Sequence, residues 1–483
     1  MSTDTTLSIY EALTSALGSD TASILQPGND GYEKINGSYF SAFENELRPS
    51  FIAKPATAEQ LQNLVRALRP HVLNGSCRIA VRGSGHTPFA GSANIQGGVT
   101  IDMGRIQGVK LSADKSLVEI SAGEIWTNVY AELDKHGLTT TGGRVSRIGV
   151  TGFLLGGGLS MFSSRRGFAC DSVTEFKVVL ASGELVTANA SENPDLWIAL
   201  KGGLNNFGIV TSITMKTFAS GADIWGGLVY YPAESFSQLL GKACDYLLDE
   251  TADQDVHLMC SAGYGYGHQV ASCVMYHTRG EVDARALQPF LSVQPQIESM
   301  RSLKTATHSQ FCEDLSKFST DGIRQYWASI TIKPDIDLIN TMYEQWQETL
   351  TGIKDAEGFI FSFGFHPVTK ALLENSRKAG GNAMDIAPLD GPLFVVLINP
   401  CWTLPQDDSR IFKAVGDLVV GFRELAAGRG LLHRYIFTNY AYHEDDVMAG
   451  YGEESLERMK GVSKKYDPEG VFQRGVPGGF KLV

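Results

Sequence analysis

Apolar and polar positions follow two textures along this chain, and the change falls near residue 219. From about 45 to 218, short β-rich runs alternate with short helices. Leu61, Leu64, Val65 and Leu68 share one face of a helix that begins after Pro55, with Thr57 and Gln60 at capping-box spacing. Strands are predicted at 78–82, 99–102 and 117–120, and a hairpin over 176–187 turned at Ser182-Gly183. Trp126, Val129, Tyr130 and Leu133 form a helical stripe stopped by Gly137. From 219 to 430 the elements lengthen: strands at 227–231, 326–332, 359–363 and 394–398 alternate with helices near 233–248, 335–351 and 407–425. The pattern predicts an α+β fold. A first domain spans 45–218 after an N-terminal segment, 1–44, and a second domain spans 219–430. The second is a mostly antiparallel sheet flanked by helices, with aromatic strand faces available to line a pocket. The last segment, 431–483, returns to short elements and is placed against the first domain.

Length and composition narrow the class. At 483 residues the chain exceeds one ordinary core. Its 43% hydrophobic and 19% charged content fits a globular protein, with no repeat and no apolar run of membrane-spanning length. The first residues carry neither a basic nor an apolar leader region, so a cytoplasmic location is expected. Seven scattered cysteines without a CxxC fit reduced thiols. A net charge of −12 argues against nucleic acid as a partner. No HExxH occurs and His443-Glu444 lacks companions at ligand spacing, so no metal is expected.

Three glycine-laced stretches carry the candidate chemistry. Arg82-Gly83-Ser84-Gly85-His86-Thr87 follows a strand, where glycines let backbone N–H groups approach a phosphate. Pro88 breaks the dinucleotide fingerprint spacing, and no GK[ST] is present. The second stretch runs from Gly142-Gly143-Arg144 through Ile148-Gly149 and Gly152 to Gly156-Gly157-Gly158 and Ser160. Apolar residues interrupt its glycines, which is unlike a flexible linker and suits a loop pressed onto a flat ligand. The third, from Trp197 to Val210, ends a helix at paired glycines and re-enters a strand through Asn206-Phe207-Gly208.

In this order and spacing the three stretches resemble the FAD-binding domain of the vanillyl-alcohol-oxidase/para-cresol-methylhydroxylase superfamily. They resemble most the berberine-bridge-enzyme-like oxidoreductases, including fungal members of natural-product pathways. Phe437-Thr438-Asn439-Tyr440 and the segment 465–472 match that family's closing part. The resemblance implies a PCMH-type FAD domain whose first glycine loop, Arg82 to Thr87, cradles the pyrophosphate. It also implies that His86 bonds the flavin 8α carbon. Relatives with a second, cysteinyl link have cysteine where this chain has Val145, so single attachment is implied. Ile148 occupies a position near flavin C4a where bulk hinders O₂. Backbone groups of Gly149, Thr151, Gly152, Gly208, Ile209 and Val210, and the side chains of Ser160 and Asn205, are implied FAD contacts. Asn439 and Tyr440 match a pair near the isoalloxazine and substrate. Tyr440 is the implied catalytic base, provided its neighbours make the phenol acidic enough. His366, His433 and Tyr435 are pocket candidates by strand location alone.

The resemblance thus implies an FAD-dependent oxidoreductase that takes hydride from a small, natural-product-like substrate bound on the aromatic face of the second sheet. O₂ or another acceptor would reoxidise it, and no membrane partner is expected. A redox-neutral isomerase or cyclase on the same scaffold is the first alternative. A ligand-binding protein without turnover is the second.

Overall fold

A computed structural model describes residues 3–18, 22–220 and 223–482. Two sheets build the first half. In one, Phe51–Ala53, Val99–Asp102 and Ile79–Arg82 run parallel in that order, with Ile24–Leu25 at the edge. Ala58–Leu73 packs beside it, and the N-terminal helix Thr3–Leu17 covers that helix through Ile9 and Leu13. Thr57 caps Ala58–Leu73 by accepting from Gln60 N–H at 3.1 Å. The Gln60 side chain reaches past the cap to Ala56 N–H at 2.7 Å, so the reciprocal bond of a capping box is displaced by one residue.

The second sheet is antiparallel, in the order Val109–Leu111, Leu117–Ser121, Ile209–Lys216, Val173–Val179, Leu185–Asn189. Its hairpin turns at Gly183. A register shift between Val210 and Ser212 marks a bulge where Ile209–Lys216 leaves the third glycine stretch.

Beyond residue 223 the chain forms an antiparallel sheet with nine strands among the described residues. Val256–Gly265, Ile360–Val368, Leu393–Trp402 and Ala328–Ile332 form its middle. The helices Phe236–Leu248, Ile336–Ile353 and Asp408–Gly428 pack on one face. Strand alternation decides what each face holds. Phe361, Phe363 and Phe365 are fully buried against Phe236, Trp346 and Phe422 of the helices. Their neighbours Ile360 and Ser362 point the other way, into a cavity. The expectation that the aromatic face holds the substrate is therefore corrected: that face is core, and the less aromatic face is open. Leu432–His433 adds a further strand to this sheet before the chain crosses back. The last elements, Glu453–Tyr466 and Val471–Gly475, pack on Pro194–Leu200 and Ala58–Leu73.

All seven cysteines are free thiols, and Cys170 is fully buried among apolar neighbours. No helix among the described residues is long and apolar enough to cross a membrane.

Candidate active site

The two halves enclose one elongated cavity of ≈ 520 Å³, a size ordinary for ligand sites. The glycine stretches form one wall and the open face of the large sheet forms the other.

Gly83, Ser84, Gly85, His86 and Thr87 line it directly after strand Ile79–Arg82. Gly85 sits at φ +76°, and a Cβ there would lie 2.7 Å from the Tyr39 ring. Only glycine fits this turn without strain. Arg82 does not reach the cavity. Its guanidinium turns back to donate to Ile35 O at 2.6 Å and to Ser38 Oγ at 2.8 Å, and it lies over the Tyr39 ring. It braces the loop from behind.

Ser84 ties the first glycine stretch to the second. Its Oγ accepts from Gly149 N–H at 2.8 Å. Val145, Ile148, Gly149, Thr151 and Gly152 line the cavity beyond that bond. Ser160 does not. It borders a separate small void with His257 and His366, and its Oγ accepts from Phe162 N–H at 3.3 Å. Asn205, Gly208, Ile209 and Val210 complete the wall. The Asn205 amide is committed to the C-terminal tail, donating to Gly478 O at 3.1 Å and accepting from Lys481 at 3.0 Å. The Asn439 amide is committed too. It donates to Phe153 O and accepts from Gly158 N–H, both at 3.1 Å, and so clamps the second glycine stretch.

His86 stacks on Phe40, with ring centres 4.0 Å apart and planes 12° apart. Phe40 N–H in turn donates to Gly85 O at 3.0 Å. Burial pulls the imidazole down to about 4, so the ring is neutral near pH 7. Its Nε2 is buried without any hydrogen-bond partner. A buried orphan nitrogen in a cavity wall is where a ligand completes the structure.

On the opposite side, Tyr440 stands between Trp327 and His366, with ring centres 5.6 Å and 5.1 Å away. Arg144 donates to its phenol oxygen at 2.6 Å. The same guanidinium donates to His366 Nδ1 at 3.0 Å and to Met259 Sδ at 2.9 Å. Burial and then the Arg144 charge hold His366 well below the ordinary imidazole range. With Nδ1 accepting, its proton resides on Nε2. Trp327 and Asn399 also line the cavity, and their Nε1 and Oδ1 are buried without partners. His433 and Tyr435 lie outside the cavity; Tyr435 is fully buried, with its hydroxyl on Met384 Sδ.

Arg144, Phe40 and Trp327 carried no role in the sequence reading. Arg144 stood inside the second glycine stretch, and a charged residue among glycines and apolar residues was the available signal. Phe40 and Trp327 reach the site from distant segments and gave no local signal.

The family of FAD binding domains matches residues 49–189. The FAD-dependent monooxygenase tpcD of Cochliobolus heterostrophus is 34% identical over 475 residues, covering 93% of this chain and 92% of that protein. The FAD-dependent monooxygenase CTB5 of Cercospora beticola is 33% identical, covering 98% and 92%. Among solved structures, 6-hydroxy-D-nicotine oxidase from Arthrobacter nicotinovorans superposes with a TM-score of 0.78 at 19% identity, over 93% of this chain and 96% of that one. The xylooligosaccharide oxidase of Myceliophthora thermophila C1, solved with xylobiose, gives 0.76 at 20% identity over 98% and 99%.

Proposed function

The chain belongs to the fungal berberine-bridge-enzyme-like FAD-linked oxidoreductases, and from that premise we propose that His86 tethers the flavin while Tyr440 takes the proton from a small organic substrate as it is oxidised. FAD, when bound, supplies the two-electron acceptor for a hydrogen carried as hydride. The remaining work falls to this chain's own residues.

The observation that carries the reading is His86. Its ring is neutral, stacks on Phe40, lines the cavity, and carries a buried nitrogen without a hydrogen-bond partner. A neutral imidazole keeps the lone pair that a covalent link requires. Val145 has no sulfur to make a second link, so the attachment is single. Ser84, bonded to Gly149, and Asn439, bonded across 153–158, hold the glycine stretches at fixed separation around the dinucleotide. Ile148 lines the cavity between them and restricts O₂ access by its bulk.

Tyr440 has the position for proton abstraction. It lines the cavity, and the hydrogen bond from the Arg144 guanidinium holds its oxygen in place for the transfer. A natural-product intermediate suits a pocket whose sheet wall mixes Ile360, Leu397, Trp327, Ser362 and Asn399.

Acid precipitation of the purified protein tests the tether. Yellow colour is expected to stay in the pellet, and His86→Ala is expected to release it to the supernatant. Colour released from the wild type would overturn covalent attachment. The relatives named monooxygenases favour a second reading, in which an oxygen atom from O₂ enters the product. Turnover under isotopically heavy O₂ separates the two: label in the product supports insertion, and label only in hydrogen peroxide supports simple oxidation. Product formed anaerobically, without net flavin bleaching, would instead favour isomerisation or cyclisation.

A further inference from the structure

Arg144 is buried, 8% exposed, and its interactions are all accounted for by a thioether, an imidazole and a phenol. No carboxylate among the described residues lies within ion-pair distance of it. A guanidinium remains charged at any pH a protein meets, and a buried charge without a counter-ion is costly. Its bonds to Met259, His366 and Tyr440 leave N–H donors without acceptors among the described residues.

The surroundings do not supply the missing charge. Burial, with the Arg144 charge as the next cause, keeps both His257 and His366 neutral. Among the described residues lining the main cavity, Arg144 is the only one with a permanently charged side chain, and no Asp, Glu or Lys lines it. The guanidinium also stands on the substrate side. Two of its partners, Met259 and His366, belong to strands Val256–Gly265 and Ile360–Val368 of the large sheet. Trp327 and Asn399 line the same cavity, and their Nε1 and Oδ1 are buried without partners.

We propose that Arg144 receives an anionic oxygen of the substrate, so that the enzyme acts on organic acids (carboxylates, or enols and phenols acidic enough to ionise) in preference to neutral sugars and alcohols. The inference rests on the functional reading above for what the cavity does, and on the guanidinium alone for what it selects. Bound this way, the anion meets the charge beside the Tyr440 oxygen, which places the rest of the substrate next to the base.

Calorimetric titration of the FAD-loaded protein with benzoate, its neutral isostere benzamide, and 4-nitrophenol tests this, with the visible flavin band followed in parallel. The wild type is expected to bind benzoate about tenfold or more tightly than benzamide. Arg144→Gln is expected to erase that preference, and Arg144→Lys to keep part of it. Tighter binding of 4-nitrophenol when it is ionised extends the class to phenols and enols; discrimination of benzoate alone confines it to carboxylates. Equal affinity of the wild type for benzoate and benzamide would overturn the proposal without recourse to any variant. So would an undiminished preference in a folded Arg144→Gln protein, including one whose loss is confined to FAD retention. A protein that holds no FAD yet still prefers benzoate would sink the flavin reading and leave the anion site standing.

Discussion

His86 and Tyr440 line one cavity, and each depends on a neighbour that determines what it can do. Phe40 fixes the His86 ring, and Arg144 fixes the Tyr440 oxygen. Removing the phenol oxygen alone should remove the proposed base and also take one acceptor from the buried Arg144 guanidinium. Tyr440→Phe is expected to slow the chemical step by about a hundredfold or more, as read by stopped-flow reduction with substrate, with flavin content unchanged and a modest fall in Tm from the acceptor lost to Arg144. Ile148 acts by size. Ile148→Val removes one methylene from the cavity wall and is expected to raise the rate of reoxidation by O₂, measured after anaerobic photoreduction, with substrate reduction unaffected. At this scale the residues the resemblance names divide: Asn205 and Asn439 line the cavity, whereas Arg82 and Ser160 do not. The amides of Asn205 and Asn439 are nonetheless spent on Gly478, Lys481, Phe153 and Gly158.

The glycine-rich cavity wall combines loops with the start of helix Val150–Leu155 and of strand Ile209–Lys216, and its loop conformations are held by specific contacts. Gly85→Ala meets both a positive φ and the Tyr39 ring. It should cost roughly 1–3 kcal/mol and lower FAD occupancy, as read by urea unfolding and by the ratio of flavin to protein absorbance. The loop after it is clamped by Glu44, whose carboxylate accepts from Gly91 N–H at 2.9 Å and Ala93 N–H at 2.7 Å. Burial pushes this carboxyl up to about 7 despite those bonds. A carboxyl raised in the folded state contributes its full stability below its ordinary value of 4.5, and loses it as pH climbs towards 7. Glu44→Gln does not titrate. It should gain on the wild type by up to about 3 kcal/mol across that window, measured by denaturant unfolding at stepped pH.

For the molecule as a whole, both halves share the walls of one cavity. Glycine stretches from the first half and strands of the large sheet close on the same space, so ligand binding and folding are linked. Under the proposed tether that linkage is independent of free FAD in the wild type. In His86→Ala it becomes a mass-action effect. Tm of the variant should rise with added FAD, by the equivalent of about 2.7 kcal/mol at a hundredfold excess over Kd, while wild-type Tm stays constant in a thermal melt.

The sequence alone determined the fold class, the order of the glycine stretches, the main helices of the second half and the position of His86. Each of these is written locally, in periodicity, in glycine spacing or in a short motif that needs no distant partner. It also placed Tyr440 beside Asn439 in a motif. Tertiary structure decided which face of the large sheet is open. Alternation divides Phe361, Phe363 and Phe365 from Ile360 and Ser362, but only the packing of three helices says which set is core. It also brought Phe40 to His86, and Arg144 to Tyr440 across 296 positions. Chain entropy hides such long-range contacts from any local pattern, because they exist only once the loops between them have closed.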